Sequence, residues 1–328
     1  MQVDDVNPQE ALREVIALQP LDAQLGQWPK RSVPAEALDA LPGPGGQVFA
    51  LLDAGRIAGL VEQLEAAGLP HLSLFKGPAE AGYRDVAPYL VRIGSEDPLL
   101  RRLFTRSGRG SDLWDAAAGI LLRSGSPAEA LRDHLRHFTR MQDEAGAWFY
   151  FRFWDPATAN RYLGTLLAQP DRYDRWFRTP EARIDAFLIP QPGPDRLIVY
   201  RPLDRPAAAP GRPRLAGADR DALRLARTEQ DLAQIAALMR QTFPERSGRL
   251  GAADLDRAVR RSAGRAREFD IRQRANVFRL AAWDLYSDGP FEHADPDGRL
   301  RQILERDLPE ADKMDRLAAR MAELDGES

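Results

Sequence analysis

The sequence predicts an α/β fold, a mixed sheet flanked by helices, followed by a small all-α C-terminal domain. Short apolar runs alternate with segments of helical period between residues 47 and 200, which is the pattern of a sheet covered by helices. A stretch rich in Pro, Ala and Gly, RPLDRPAAAPGRPRLAGAD at 201–219, then interrupts the pattern. Beyond it the apolar residues repeat only with the period of a helix. The length of 328 residues fits about two domains on the usual scale of ~150 residues each. The expected organisation is an N-terminal arm at 1–46, an α/β domain at 47–200, a linker at 201–219 and a helical domain at 220–328.

In the arm, a short helix is expected at 8–18, and LPGPGG at 41–46 reads as a hinge. Its glycines precede a strand, whereas a phosphate-cradling loop follows a strand and opens a helix. VFALLD at 48–53 is a continuous apolar run, as in a strand buried on both faces. Residues 54–67 place Ile57, Leu60, Val61 and Leu64 on one helical face, and Gly68 ends them. HLSLFK (71–76) and PYLVRIG (88–94) are strands. Asp97-Pro98 opens a helix carrying Leu99, Leu100, Leu103 and Phe104. AGILLRS (118–124) is the next strand. Ser126-Pro127-Ala128-Glu129 has the form of a capping box, and the helix behind it is expected to run to Asp143 with Leu131, Leu135, Phe138 and Met141 inward. Gly146 breaks it. A further strand precedes Asp155-Pro156, which opens a helix with Tyr162, Leu163, Leu166 and Leu167; DAFLI (185–189) and RLIVY (196–200) are the last strands.

The C-terminal domain is expected to hold four or five helices. Leu232, Ile235, Leu238 and Met239 share one face. Val277, Phe278, Ala281, Ala282 and Leu285 share another, and Met314, Leu317, Met321 and Leu324 a third.

Composition narrows the function. Lys and Arg number 46 against 49 Asp and Glu, a net charge of −3, so the basic excess of a nucleic-acid or membrane-surface binder is missing and no nucleic-acid partner is expected. There is no cysteine, which removes disulfides, thiolate nucleophiles and Cys-ligated metals. The start, MQVDDVNPQE, is too polar for a secretory signal, and no apolar run approaches the ~20 residues of a membrane span. A cytoplasmic protein without stable membrane insertion is expected.

Catalytic signatures are sparse. Walker A, dinucleotide-binding and nucleophile-elbow patterns do not occur. His134 and His137 stand three apart on an expected helix, but a metal site needs a third ligand and no H-E-x-x-H occurs. Asp53 ends the first strand of the α/β domain, where such sheets bind ligands. An aspartate there is either a phosphoryl-accepting nucleophile or the cap of the following helix. The run Asp53-Ala54-Gly55 lacks the second aspartate of the D-x-D phosphotransferases. No cofactor, metal or catalytic residue is therefore expected, with a phosphotransferase using Asp53 as the alternative.

The most unusual stretch is WFYFRFWDP at 148–156, six rings in nine residues of a chain that is 8% aromatic. Read as a strand, it places Phe149, Phe151 and Phe153 on a core face. Trp148, Tyr150, Arg152 and Trp154 then share the other face. Trp, Tyr and Arg are the types enriched at binding hot spots, so these four are the candidate partner-binding residues.

Residues 151–156, FRFWDP, resemble the F-R-F-Y-D-P signature of the domain of unknown function 4123 family. ALLDAG (50–55), SLFKG (73–77), APYLVRI (87–93) and GILLRSGSPAEALRDHLRHFTRMQDEAG (119–146) follow that family's order. The likeness covers roughly residues 47–168. Trp154 stands where Tyr is commoner, and Ala157-Thr158 where the family often has Arg-Val. The resemblance implies a non-catalytic type VI secretion effector chaperone, or adaptor. Such proteins bind a cognate toxic effector in the bacterial cytoplasm and help load it on the VgrG or PAAR spike. It also implies that Asp53, Pro88, Tyr89, Arg152, Asp155 and Pro156 are structural motif residues. The helical domain, with ANVFRLAAWDLY at 275–286, resembles C-terminal extensions of some members and is expected to help choose the client or contact the spike.

Overall fold

The structure is a computed structural model that describes residues 12–42, 47–77, 82–205 and 214–326. It divides into two compact units, one up to Ala226 and one from Arg227 onward. In chain order the first unit holds β1 (Arg13–Ala17), β2 (Gln47–Asp53), α1 (Leu60–Ala66), β3 (His71–Ser73), β4 (Pro88–Gly94), α2 (Pro98–Leu103) and β5 (Gly119–Arg123). It continues with α3 (Ala128–Arg136), β6 (Arg140–Asp143), β7 (Trp148–Tyr150), α4 (Pro156–Leu166), α5 (Pro170–Asp174), β8 (Ala186–Gln191), β9 (Arg196–Tyr200) and β10 (Arg214–Leu215).

Seven strands form the main sheet in the order β1-β9-β8-β5-β2-β4-β3. Helices flank the sheet and an all-helical region follows it, as expected, but every pairing within this sheet is antiparallel. Strands buried on both faces read as unbroken apolar runs whichever way their neighbours point, so the runs left strand direction open. The run in β2 separates two cores. Val48, Ala50 and Leu52 face a cluster with Leu60, Val61 and Leu64 of α1 and Leu99, Leu100 and Leu103 of α2. Phe49 and Leu51 face the opposite cluster with Leu131 and Leu135 of α3, Phe151, Phe153 and Trp154. Gly119 begins β5 opposite Leu52, where a Cβ would stand 2.1 Å from the Leu51 carbonyl oxygen. Only glycine lets the two backbones come that close.

Three expectations for this unit are corrected. Residues 12–42 are no arm apart from the sheet. Residues 13–17 form β1, not a helix, and pair antiparallel with β9 from Arg13 opposite Tyr200 to Ala17 opposite Arg196. The free edge of β9 supplies hydrogen bonds that a lone short helix lacks. Leu18, Leu21, Val33, Ala37, Ala40 and Leu41 then join the core. Residues 8–11 and the hinge glycines at 43–46 lie outside the described residues.

The helix expected to reach Asp143 ends at Arg136. Thr139 Oγ donates to the Arg136 carbonyl (2.8 Å), the chain turns, and β6 and β7 form a hairpin. Gly146, at φ +82°, sits in the hairpin turn rather than at a helix end, and the Asp143 carboxylate accepts from the Ala147 amide (2.8 Å). Leu131, Leu135, Phe138 and Met141 are all buried, but the last two reach the core from the turn and from β6. No capping box forms: Ser126 Oγ accepts from the Arg183 amide (2.9 Å) and does not cap α3.

The expected linker is partly structured. β10 pairs parallel with β6 to complete a three-stranded sheet, β10-β6-β7, and Leu215 is buried. Helix α6 (Gly217–Thr242) starts immediately after, and Asp219 accepts from Arg172 and from the Ala216 amide (2.7 Å). The unit boundary therefore falls within α6, after Ala226 and not at 219; residues 206–213 lie outside the described residues.

The second unit takes the rest of α6 and α7 (Pro244–Gly248), α8 (Ala252–Glu268), α9 (Arg274–Tyr286), α10 (Arg299–Glu305) and α11 (Glu310–Gly326). Ile235, Met239, Val277, Ala281, Leu285, Met314 and Leu317 make its core, while Leu238, expected inward, is exposed. Polar groups lock the core. Asp295 is held by Arg320 at 2.8 Å, and Lys313 donates to the Phe269 (2.8 Å) and Leu304 (2.9 Å) carbonyls at two helix ends. No helix among the described residues is long and apolar enough to cross a membrane.

Candidate interaction surface and its anchor

The run 148–156 is a strand only over its first three residues, β7. From Phe151 the chain leaves the small sheet and dives into the core. Phe151, Phe153 and Trp154 are buried, packed with Phe138, Tyr162 and Trp176, whose ring stacks on Phe138 at 3.8 Å. Asp155 then caps α4, accepting from the Thr158 amide (2.9 Å), with Pro156 in the first turn.

Two ion pairs bolt this segment to the end of β2. Asp53 is buried. Its Oδ1 accepts from the Gly55 amide (3.0 Å); its Oδ2 accepts from Arg152 and from Trp154 Nε1 (3.2 Å). In the reverse direction, Arg56 donates to Asp155 (2.5 Å) and to the Ala116 (3.3 Å) and Ala117 (2.9 Å) carbonyls. The carboxylate of one segment thus meets the guanidinium of the other, twice. Asp53 does cap the short turn at Ala54–Arg56, but both its oxygens also serve this clasp. Pro88 lies opposite Asp53 in the sheet, and Tyr89 is buried with its hydroxyl donating to the Arg84 carbonyl (3.1 Å).

The four candidate partner-binding residues are therefore divided. Trp154 is 3% exposed and belongs to the core, because the strand ends before the alternation can place it outside. The Arg152 side chain is 57% exposed, yet its guanidinium is committed to Asp53. Trp148 and Tyr150 are open, at 51% and 69%. Phe149, expected in the core, is also exposed, since no second layer covers β7.

Trp148 and Tyr150 extend into a larger surface. Arg140 of β6 sits directly across from Tyr150, its guanidinium 5.1 Å from the Trp148 ring and 5.8 Å from the Tyr150 ring. Tyr150 meets Phe75 edge-on at 6.4 Å, and Phe75 meets the exposed Tyr83 at 6.3 Å. The strip thus runs Trp148, Arg140, Tyr150, Phe75, Tyr83. Arg140 was hidden by the helix expected through it. The turn signal Asp-Glu-Ala-Gly at 143–146, between two runs of period 2, would have exposed the hairpin.

No group of three or more His, Cys, Asp or Glu side chains that could hold a metal ion occurs among the described residues. His134 is buried with Nε2 against the Trp176 carbonyl (2.9 Å), and His137 Nδ1 lies 3.3 Å from the His134 carbonyl. Burial holds the His134 pKa below its ordinary value, outweighing the Trp176 carbonyl, while His137 adds a little in the same direction.

Residues 48–172 match the family described as domain of unknown function (DUF4123). This part of the chain is similar to that family. The match spans from β2 to α5 and contains both halves of the clasp, Asp53 with Arg152 and Arg56 with Asp155. It also covers the whole strip from Phe75 to Tyr150. β8, β9 and the second unit lie beyond it. No curated protein and no solved structure matches the chain.

Proposed function

We propose that the protein is a type VI secretion effector adaptor. In the cytoplasm it binds one cognate toxic effector stoichiometrically and helps load it on a VgrG or PAAR spike, without turnover of a substrate. The DUF4123 match supports the class, through the resemblance described above. The observation that carries the binding role is the strip of exposed Trp148, Arg140 and Tyr150 beside half-buried Phe75, in which Trp148 and Tyr150 directly precede the segment that the double ion pair fixes. Aromatic rings and an arginine held rigid bind with little loss of side-chain freedom. The engagement of both Asp53 oxygens inside the fold weighs towards a structural use of that residue and away from a phosphoryl acceptor.

The test is recovery of partners from the native cell lysate on the tagged full chain, identified by mass spectrometry. One large effector, near stoichiometric and accompanied by a VgrG or PAAR protein, is the expected result. The double variant W148A/Y150A should lose it while remaining folded. Recovery of no stable partner, or equal recovery by the variant, would sink the proposal in whole or in its choice of surface.

A further inference from the structure

The second unit carries a cleft of about 350 Å³ between α7, α8 and α9, within the size range of ligand sites. Its floor is apolar, made by buried Met239, Leu255, Val259 and Leu285. Its lining carries four arginines against two aspartates, a surplus of two positive charges. Arg265 is neutralised by Asp284 (2.8 Å) and by the buried Glu292. Asp284 also accepts from Ser262 Oγ (2.5 Å) and the Phe291 amide (3.0 Å), so this carboxylate is fully occupied. Arg246 lies over the Tyr286 ring at 5.0 Å and 3.9 Å from Asp288. Arg249 and Arg261 remain: both are exposed, and neither side chain has a hydrogen-bond or ionic partner among the described residues.

We infer that this cleft binds a peptide segment of a partner protein in which apolar side chains are flanked by carboxylates. Two guanidiniums standing uncompensated over an apolar floor present matched groups for such a segment, since each can take a carboxylate on two parallel N–H donors. Leu250 of the lining is exposed, and so is Tyr286 beneath the Arg246 guanidinium of the same lining, which suits an extended or helical segment more than a compact small molecule. The site lies outside the DUF4123 match and does not depend on the adaptor proposal.

The test is selection of random peptides displayed on phage against the full chain, run in parallel on R249E/R261E. Synthetic copies of the winners are then titrated by fluorescence anisotropy. Peptides joining Leu, Ile or Phe to Asp or Glu should be enriched on the native protein. They should bind the double variant at least about tenfold more weakly. Should charge reversal disturb the helices, R249A/R261A gives the same comparison at unchanged shape. Equal enrichment on native and variant proteins, or winners without acidic residues, would overturn the inference. So would decanoate binding lost in R249E/R261E while no acidic peptide is enriched, because the cleft would then take a small carboxylate.

Discussion

The two ends of WFYFRFWDP are built from the same kinds of residue and meet opposite fates. Trp148, Phe149 and Tyr150 lie on an edge strand of a three-stranded sheet, with solvent over them. Phe151, Phe153 and Trp154, starting one residue later, are buried. What divides them is the layer opposite. β7 has only β6 beside it, whereas the following residues meet α3, α4 and the face of the main sheet. Ring content alone marks neither core nor interface; the number of layers covering the rings decides.

Substitutions should separate the two ends by size of effect. Trp154→Ala removes a buried indole and the donor to Asp53, and should cost about 3–5 kcal/mol in urea denaturation of the full chain. A loss below about 1 kcal/mol would mean that this end is not the anchor. Asp155→Ala takes away the α4 cap and leaves Arg56 without its carboxylate. About 2–3 kcal/mol is expected, part of the Arg56 contribution being lost to solvent screening. Next comes pH. The folded pKa of His134 is depressed, so its contribution is complete above the ordinary histidine range and declines as pH falls through that range towards the folded value. Denaturation midpoints measured from pH 8 to pH 5 should show this decline, and His134→Gln should flatten it. The smallest effects belong to the open end. Trp148→Ala and Tyr150→Ala should each shift stability by less than about 1 kcal/mol, with their consequence seen in partner recovery. A stability loss matching that of Trp154→Ala would erase the contrast.

Much of the fold was legible because burial is written in the sequence as period. The run VFALLD, the strand PYLVRIG and the helix opened by Asp155-Pro156 all stand where their patterns put them. Strand direction was not legible, since direction depends on which runs meet in space. Two elements were misread for a shared reason. Residues 13–17 and 140–143 are short, and each becomes a strand only because a distant or returning segment offers an open edge. The candidate site was half legible. Residue type brought out Trp148 and Tyr150, but Arg140, Phe75 and Tyr83 come from other elements and are assembled by packing. Likewise Asp53 and Arg152 stood out singly, while their pairing across 99 residues is a product of the fold.

The pairing of β1 with β9 has a consequence for the order of events during synthesis. Arg13 and Tyr200, joined by a side-chain hydrogen bond, are 187 residues apart. β1 therefore waits for β9, made 179 residues or more after it, while β8 and β9 are joined locally as a hairpin. Closing so long a loop is slow, and an unpaired strand in the meantime is a template for other chains. Arg13 and Glu14 place two charges on β1, which discourages such pairing while it waits. The outer edge of the sheet thus closes only on chains translated through Tyr200, and an interrupted product is left with an open border.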